Sequence, residues 1–179
     1  GIGSTYPSSG YVAIGGKEIV QFSRSGDNFT VTGGTSGRGQ FGTEAIAHNA
    51  QDRVQICLVY NGATASDIIY DLLTTYADVP TWAIDKTEWD EEVSNHLGVI
   101  YSRVIAEPTA VKNLIDELIE QAGLILWWDN LAKKVKLQVL KSIVTDTFTY
   151  DDSNIIEGTI EVEEQRDKLI TEVWTYYGI

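Results

Sequence analysis

Methionine does not occur in the chain, cysteine occurs once, and its 179 residues include only three prolines and two histidines. The lone Cys57 excludes an internal disulfide framework and any zinc site built on several thiolates. No run of apolar residues approaches the roughly 18 that a membrane-spanning helix needs, so no span is expected. The opening GIGSTYPSSG has neither the basic region nor the apolar core of a signal peptide. With no methionine, and with a strand-like run LITEVWTYY close to its last residue, the sequence is expected to be a piece excised from a longer polypeptide. Positive charge is scarce as well: 13 Lys and Arg stand against 26 Asp and Glu, a formal net charge of −13. That balance repels a phosphate backbone unless the cations cluster, and here they are scattered, so specific nucleic-acid binding is not expected.

What the chain does have is apolar material, 43% of its residues, enough to bury a sizeable core in one domain or one domain plus a small appendage. Its acids concentrate in DKTEWDEE (85–92) and EGTIEVEEQRD (157–167). Both read as solvated faces, and the first lacks the Asp/Asn-Gly loop spacing of a calcium site.

The most patterned stretch runs from Leu97 to Leu140. Val111, Leu114, Ile115, Leu118, Ile119 and Ala122 recur at the helical period and write one apolar stripe. Pro108-Thr109 opens that helix and Gly123 closes it. Around it lie VIYSRVIA, LILWWD and KKVKLQVL, with the polar turn Asp129-Asn130-Leu131-Ala132 between the last two. Val135, Leu137 and Val139 point one way and Lys134, Lys136 and Gln138 the other. The pattern predicts a β-α-β-β unit, a helix laid across an antiparallel sheet.

Elsewhere, YVAI, Gly15-Gly16 and KEIVQFSR predict a hairpin with a two-residue glycine turn. Ser25-Gly26-Asp27-Asn28 makes a second turn before the half-buried strand FTVT, and RVQICLVY is a further strand. Thr64-Ala65-Ser66-Asp67 has capping-box spacing and starts a three-turn helix with Ile68, Ile69, Leu72, Leu73 and Tyr76 on one face, ending before Pro80. Asp85 and Glu88 cap another, with Trp89 and Val93 inward. TDTFTYD, EGTIEVE and KLITEVWTYY read as three closing strands. The expected class is α+β, with mixed, mainly antiparallel sheets and three helices. The expected divisions are a linker or loose end at 1–10, a β-rich segment at 11–63, the helical and β-α-β-β segment at 64–141, and C-terminal strands at 142–179.

Candidate chemistry is sparse. Gly37-Arg38-Gly39-Gln40-Phe41-Gly42 satisfies the letter of GxGxxG, yet no crossover helix follows and the position for the ribose-binding acid falls near Asn61-Gly62, so a loop between strands is expected. No acid or thiol near His48 or His96 forms a recognisable metal or triad motif, so both are expected to be structural or surface residues. Cys57 alternates with strand residues and reads as a small buried hydrophobe. Glu88 beside Trp89, and Asp129 after Trp127-Trp128, are the acid–aromatic pairings a glycosidase or sugar platform would use. Trp127 and Trp128 face opposite sides of one strand, so at most one can serve a given surface. No residue is assigned a catalytic, cofactor-binding or metal-ligating role.

GRGQFGTEAIAH (37–48), TASDIIYDLLTTYADVP (64–80) and AEPTAVKNLIDELIEQAGLILWWDNLAKKVKL (106–137), in that order, resemble the hub or tail-tip structural proteins of tailed bacteriophages and prophages. The third segment is the most specific, and YDDSNIIEGTIEVEEQRDKLITEVWTYYGI looks like the strand region that follows in those proteins. The resemblance implies a non-catalytic component of the virion tail, present in the host cytoplasm during assembly. It implies homo-trimeric rings that join the tail tube to tip proteins and fibres, and a lumen through which DNA passes. An acidic wall suits such a lumen, because phosphate meets repulsion in place of cationic traps. A carbohydrate- or receptor-binding module of a tail tip is the alternative.

Overall fold

The computed structural model describes residues 3–141. The three closing strands expected within 142–179 lie outside the described residues.

Strands β1 (Ser9–Ile14), β2 (Glu18–Ser25), β3 (Asn28–Val31), β4 (Val54–Thr64) and β5 (Ile100–Ile105) form one antiparallel sheet in the order β3-β2-β1-β4-β5. At the first hairpin, Gly15 and Gly16 take φ of 60° and 66°, and the Ile14 carbonyl accepts from the Lys17 N–H at 3.1 Å. Ladder pairing begins at Ile14–Glu18, so Lys17 joins the two glycines in the connection. The register of β4 against β5 shifts between Tyr60 and Ala63, where Gly62 has φ 67°. This irregularity carries β4 on to Thr64.

Thr64 then caps α1 (Ala65–Asp71), its hydroxyl accepting from the Asp67 N–H at 3.2 Å. A wider turn at Leu72–Tyr76 continues the helix to the three turns expected before Pro80. Asp85 caps α2 (Lys86–His96) by accepting from the Glu88 N–H at 3.3 Å. The third helix, α3 (Val111–Ala122), starts after Ala110 without a side-chain cap and stops at Gly123, whose φ of 61° is free of steric cost only for glycine. β6 (Leu124–Asp129) and β7 (Lys134–Val139) form a separate two-stranded antiparallel ribbon. The class is α+β, with three helices and two antiparallel sheets. No helix among the described residues is long and apolar enough to cross a membrane.

The central β-α-β-β order is present as β5, α3, β6 and β7, but these elements do not share a sheet. β5 pairs with β4, through Leu58–Ile105 and Val59–Val104, while β6 meets β7 across a short turn. Closing that turn costs little chain entropy, whereas returning β6 to β5 would require a crossover around α3. The helices therefore fill the space between a sheet and a ribbon. Ile69 and Leu72, Trp89 and Val93, Leu114 and Leu118 meet Leu124, Leu137 and Val139 in one core.

The five-stranded sheet carries smaller apolar clusters: Val12, Val20 and Phe22 in one, and Ala13, Ile19 and Cys57 in another. Phe29 on β3 stays exposed at the edge of an open hollow of about 500 Å³ beside the first of these. The segment expected as a loose end is tied down from Gly3 onward. The Gly3 N–H donates to Asp27 at 2.9 Å, and Arg24 Nε donates to the Tyr6 carbonyl at 3.1 Å.

Truncating Leu118, buried at the centre of the α3 stripe, is expected to cost about 2–5 kcal/mol as Leu118→Ala. The exposed Leu140→Ala is expected to stay within about 0.5 kcal/mol. Urea unfolding followed by tryptophan fluorescence measures both.

Candidate functional site

Of the places where polar side chains gather, two bear on the candidate residues, and the first centres on Glu18. Its position at the start of β2, in phase with Val20 and Phe22, turns a carboxylate inward, and its side chain is fully buried. A charge without water needs donors, and the glycine-rich segment after β3 supplies them. Arg38 reaches both oxygens through Nε at 2.7 Å and Nη2 at 2.5 Å. The N–H groups of Gly39 and Ile46 donate at 3.1 Å each, and His48 Nε2 lies at 2.8 Å. Nδ1 of His48 sits 3.4 Å from Asp52, which also accepts from the Asn49 N–H at 2.9 Å. Arg38 further donates to the Ile46 carbonyl, so the guanidinium ties two parts of the loop together.

This geometry explains the glycines of the GxGxxG-like run. A Cβ on Gly37 would lie 2.0 Å from the Thr32 carbonyl oxygen. At Gly39 the φ of 60° aims the N–H at Glu18, and a Cβ would meet the Thr43 carbonyl at 2.8 Å. Residues 43–49 follow without a helix, so the run does not open the crossover helix that a dinucleotide site requires. The glycines serve a carboxylate of their own chain.

The Arg38 guanidinium, above all, holds the Glu18 carboxyl well below the usual carboxylate range. Burial works against it, and Ile46, His48 and Gly39 reinforce it. A carboxylate held ionised and fully hydrogen-bonded is a clasp; it has no proton to give.

The second place is the water-facing side of the β6–β7 ribbon. Glu88, Glu91, Glu92 and Asn95 from α2 and Trp127, Asp129, Lys136, Leu137 and Gln138 from the ribbon line a groove of about 400 Å³. Thus Glu88 and Asp129, the two acids paired with aromatics in the sequence, do come to one surface. Glu88 is ion-paired with Lys136 at 2.6 Å. Asp129 accepts from the N–H groups of Ala132 at 3.1 Å and Leu131 at 2.8 Å, and these bonds hold its carboxyl below the ordinary value. Burial works to raise Glu92, but the Val139 N–H and the Lys141 ammonium outweigh it and leave that carboxyl lowered too. A glycosidase acid needs the opposite shift. Trp127 is the one aromatic lining the groove; Trp128 pairs with Val135 on the other face, as the alternation requires.

Cys57 is buried in β4, and burial pushes its thiol up, away from the nucleophilic thiolate. His96 ends α2 beside Glu92, at 3.5 Å. Among the described residues no group of three or more His, Cys, Asp or Glu is arranged to hold a metal ion. Sequence reasoning missed the convergence of Glu18, Arg38 and His48, because the partners are 20 and 30 residues apart. The available signal was an acid in phase with inward apolar residues. No protein-family model, curated protein or solved structure matches the chain.

Because the Glu18 carboxyl is lower in the folded state than in the unfolded chain, its stabilisation is complete above the unfolded value of about 4.3 and is lost as pH falls toward the folded one. Glu18→Gln is expected to cost about 3 kcal/mol at neutral pH, toward the low end for a broken buried pair because Arg38 is a third exposed. The variant should also show a flatter loss of Tm below about pH 4. Thermal unfolding across pH 2.5–7 (roughly that window) reads both effects.

Proposed function

We propose that this chain is a structural building block of the hub or tail tip of a tailed bacteriophage or prophage. It works without catalysis, in a homo-trimeric ring with tube and tip proteins as neighbours. The resemblance of residues 37–48, 64–80 and 106–137 to such proteins supports the reading. The observation that carries it is the surface of the third segment: Trp127, Trp128 and Leu131 stand exposed on one short ribbon, and exposed aromatic groups of this kind are typical anchors of protein contacts. The polar clusters support it as well, since their carboxylates are engaged by the chain's own donors. The net charge of −13 suits a ring that DNA traverses without sticking. The protein then resides in the virion tail, and in the host cytoplasm while tails assemble.

Gold-conjugated antibody against this chain, applied to tail particles released from cells that encode it, should label the distal end of the tail in electron micrographs. Label absent from particles, or spread along the tube, overturns the proposal.

The groove beside Trp127 favours the second reading, a sugar-binding module, because one half-exposed ring with carboxylates and amides around it is a platform of the kind sugars use. The hub reading expects no saturable change in tryptophan fluorescence with oligosaccharides. A saturable change that Trp127→Ala removes would replace the structural reading with this one.

A further inference from the structure

The two edges of the β6–β7 ribbon are treated differently. The Leu140 N–H donates to the Gly123 carbonyl at 2.7 Å, which makes Gly123 and Leu140 a hydrogen-bonded pair at the ribbon's base. Bonded and non-bonded pairs alternate along an antiparallel ladder, so Ile125, Trp127 and Asp129 spend their backbone groups on β7. Leu124, Leu126 and Trp128 on one strand, and Val135, Leu137 and Val139 on the other, direct theirs outward.

On β7 several of those outward groups are met. The Val135 carbonyl accepts from Trp89 Nε1 at 3.2 Å, the Val139 N–H donates to Glu92 at 3.0 Å, and Ile84 bridges to Val135. Along β6, among the described residues, β7 is the one strand partner, and the edge has no charged or proline side chain before Asp129. Proteins commonly protect such edges, and among the described residues this one is apolar and pairs with no strand beyond β7.

The exposed side chains fit the same picture. Trp127 is 42% exposed on one face of β6 and Trp128 is 45% exposed on the other. No flat partner surface touches both, whereas a strand laid along the edge covers both at once. We propose that the outer edge of β6 is the docking site for an extended segment of a neighbouring, oppositely charged subunit, which adds to the ribbon as a third strand. Charge selects the partner. A second copy brings another net −13, and on the Trp127 side the edge itself offers the Asp129 carboxylate, while Lys136 and Lys134 across the ladder are already engaged by Glu88 and the Trp82 carbonyl. The fitting segment alternates Lys or Arg on the Trp127 side with β-branched or aromatic residues on the Trp128 side. The inference rests on the assembly reading only in its premise that this ribbon meets another chain; it needs neither a phage nor a ring.

Amide hydrogen exchange read by NMR on the whole chain, alone and with the capped peptide KVKVKVK at millimolar concentration, tests it apart from the labelling of tails. The Leu126 and Trp128 amides should exchange freely in the protein alone and slow by about tenfold with peptide, the protection given by ligand at ten times its Kd. The Trp127 amide, already bonded to β7, should change little. The capped peptide EVEVEVE should give no protection. Trp128→Pro, which removes an N–H that the β7 ladder does not use, should abolish the effect, and Trp128→Ala should only weaken it. Four results overturn the proposal: Leu126 and Trp128 amides protected in the protein alone, no protection by the basic peptide, equal protection by both peptides, or protection that grows with protein concentration without peptide.

Discussion

A ribbon of two strands does not hold together in water by its own backbone bonds, and the arrangement of the helices follows from that constraint. One face of β6–β7, through Leu124, Leu137 and Val139, is covered by the stripe of α3 and by the first helical segment. Its β7 edge is closed by α2, where the fully buried Trp89 donates its indole N–H to the Val135 carbonyl. The contact has two parts with different roles. The apolar body of the indole fills the core, and the N–H satisfies a carbonyl that would otherwise face a helix without a partner. Glu92 does the same for the Val139 N–H one turn further on. Support from one face and one edge is sufficient for the ribbon, and it leaves the opposite edge and both tryptophans of β6 outside.

The buried carboxylate of β2 answers a different problem. Residues 32–53 connect β3 to β4 with little regular structure of their own, and a stretch with so many glycines is entropically expensive to order. An apolar anchor would hold such a loop in many arrangements. Glu18 accepts in fixed directions from Arg38, Gly39, Ile46 and His48, and so selects one. Thr43 adds a further tie by accepting from the Ile19 N–H at 3.0 Å.

Much of this was legible in the sequence where the signal is local. The stripe of α3, the caps at Thr64 and Asp85, the inward Trp89 and Val93, and the opposite facing of Trp127 and Trp128 follow from spacing alone, and each is present. Partnership between distant elements was not legible. Nothing in VIYSRVIA says that its partner is β4 rather than the ribbon beyond α3, because strand patterning fixes which face is buried and not which edge is paired. The Glu18 clasp was invisible for the same reason: Arg38 and His48 reach it only after the loop has folded back over β2. The GxGxxG-like letters mark the right residues, and only structure shows that the anion they surround belongs to the chain.

The scarcity of cations links the stability of this surface to its interactions. Lys86 is held between Asp67 and Asp90, Lys112 pairs with Asp116, Lys136 with Glu88, Lys141 with Glu92, and Arg103 with Glu117. Most of these pairs are solvent-exposed and contribute little individually to stability. Their larger effect is on what an approaching molecule meets. With so many of the 13 Lys and Arg engaged, the unmatched remainder of the 26 acids sets the field. Such a field repels a polyanion or a second copy at long range, and more weakly as salt rises. Contacts that salt does not screen are left to other groups, and β6 offers backbone that β7 does not use and the rings of Trp127 and Trp128.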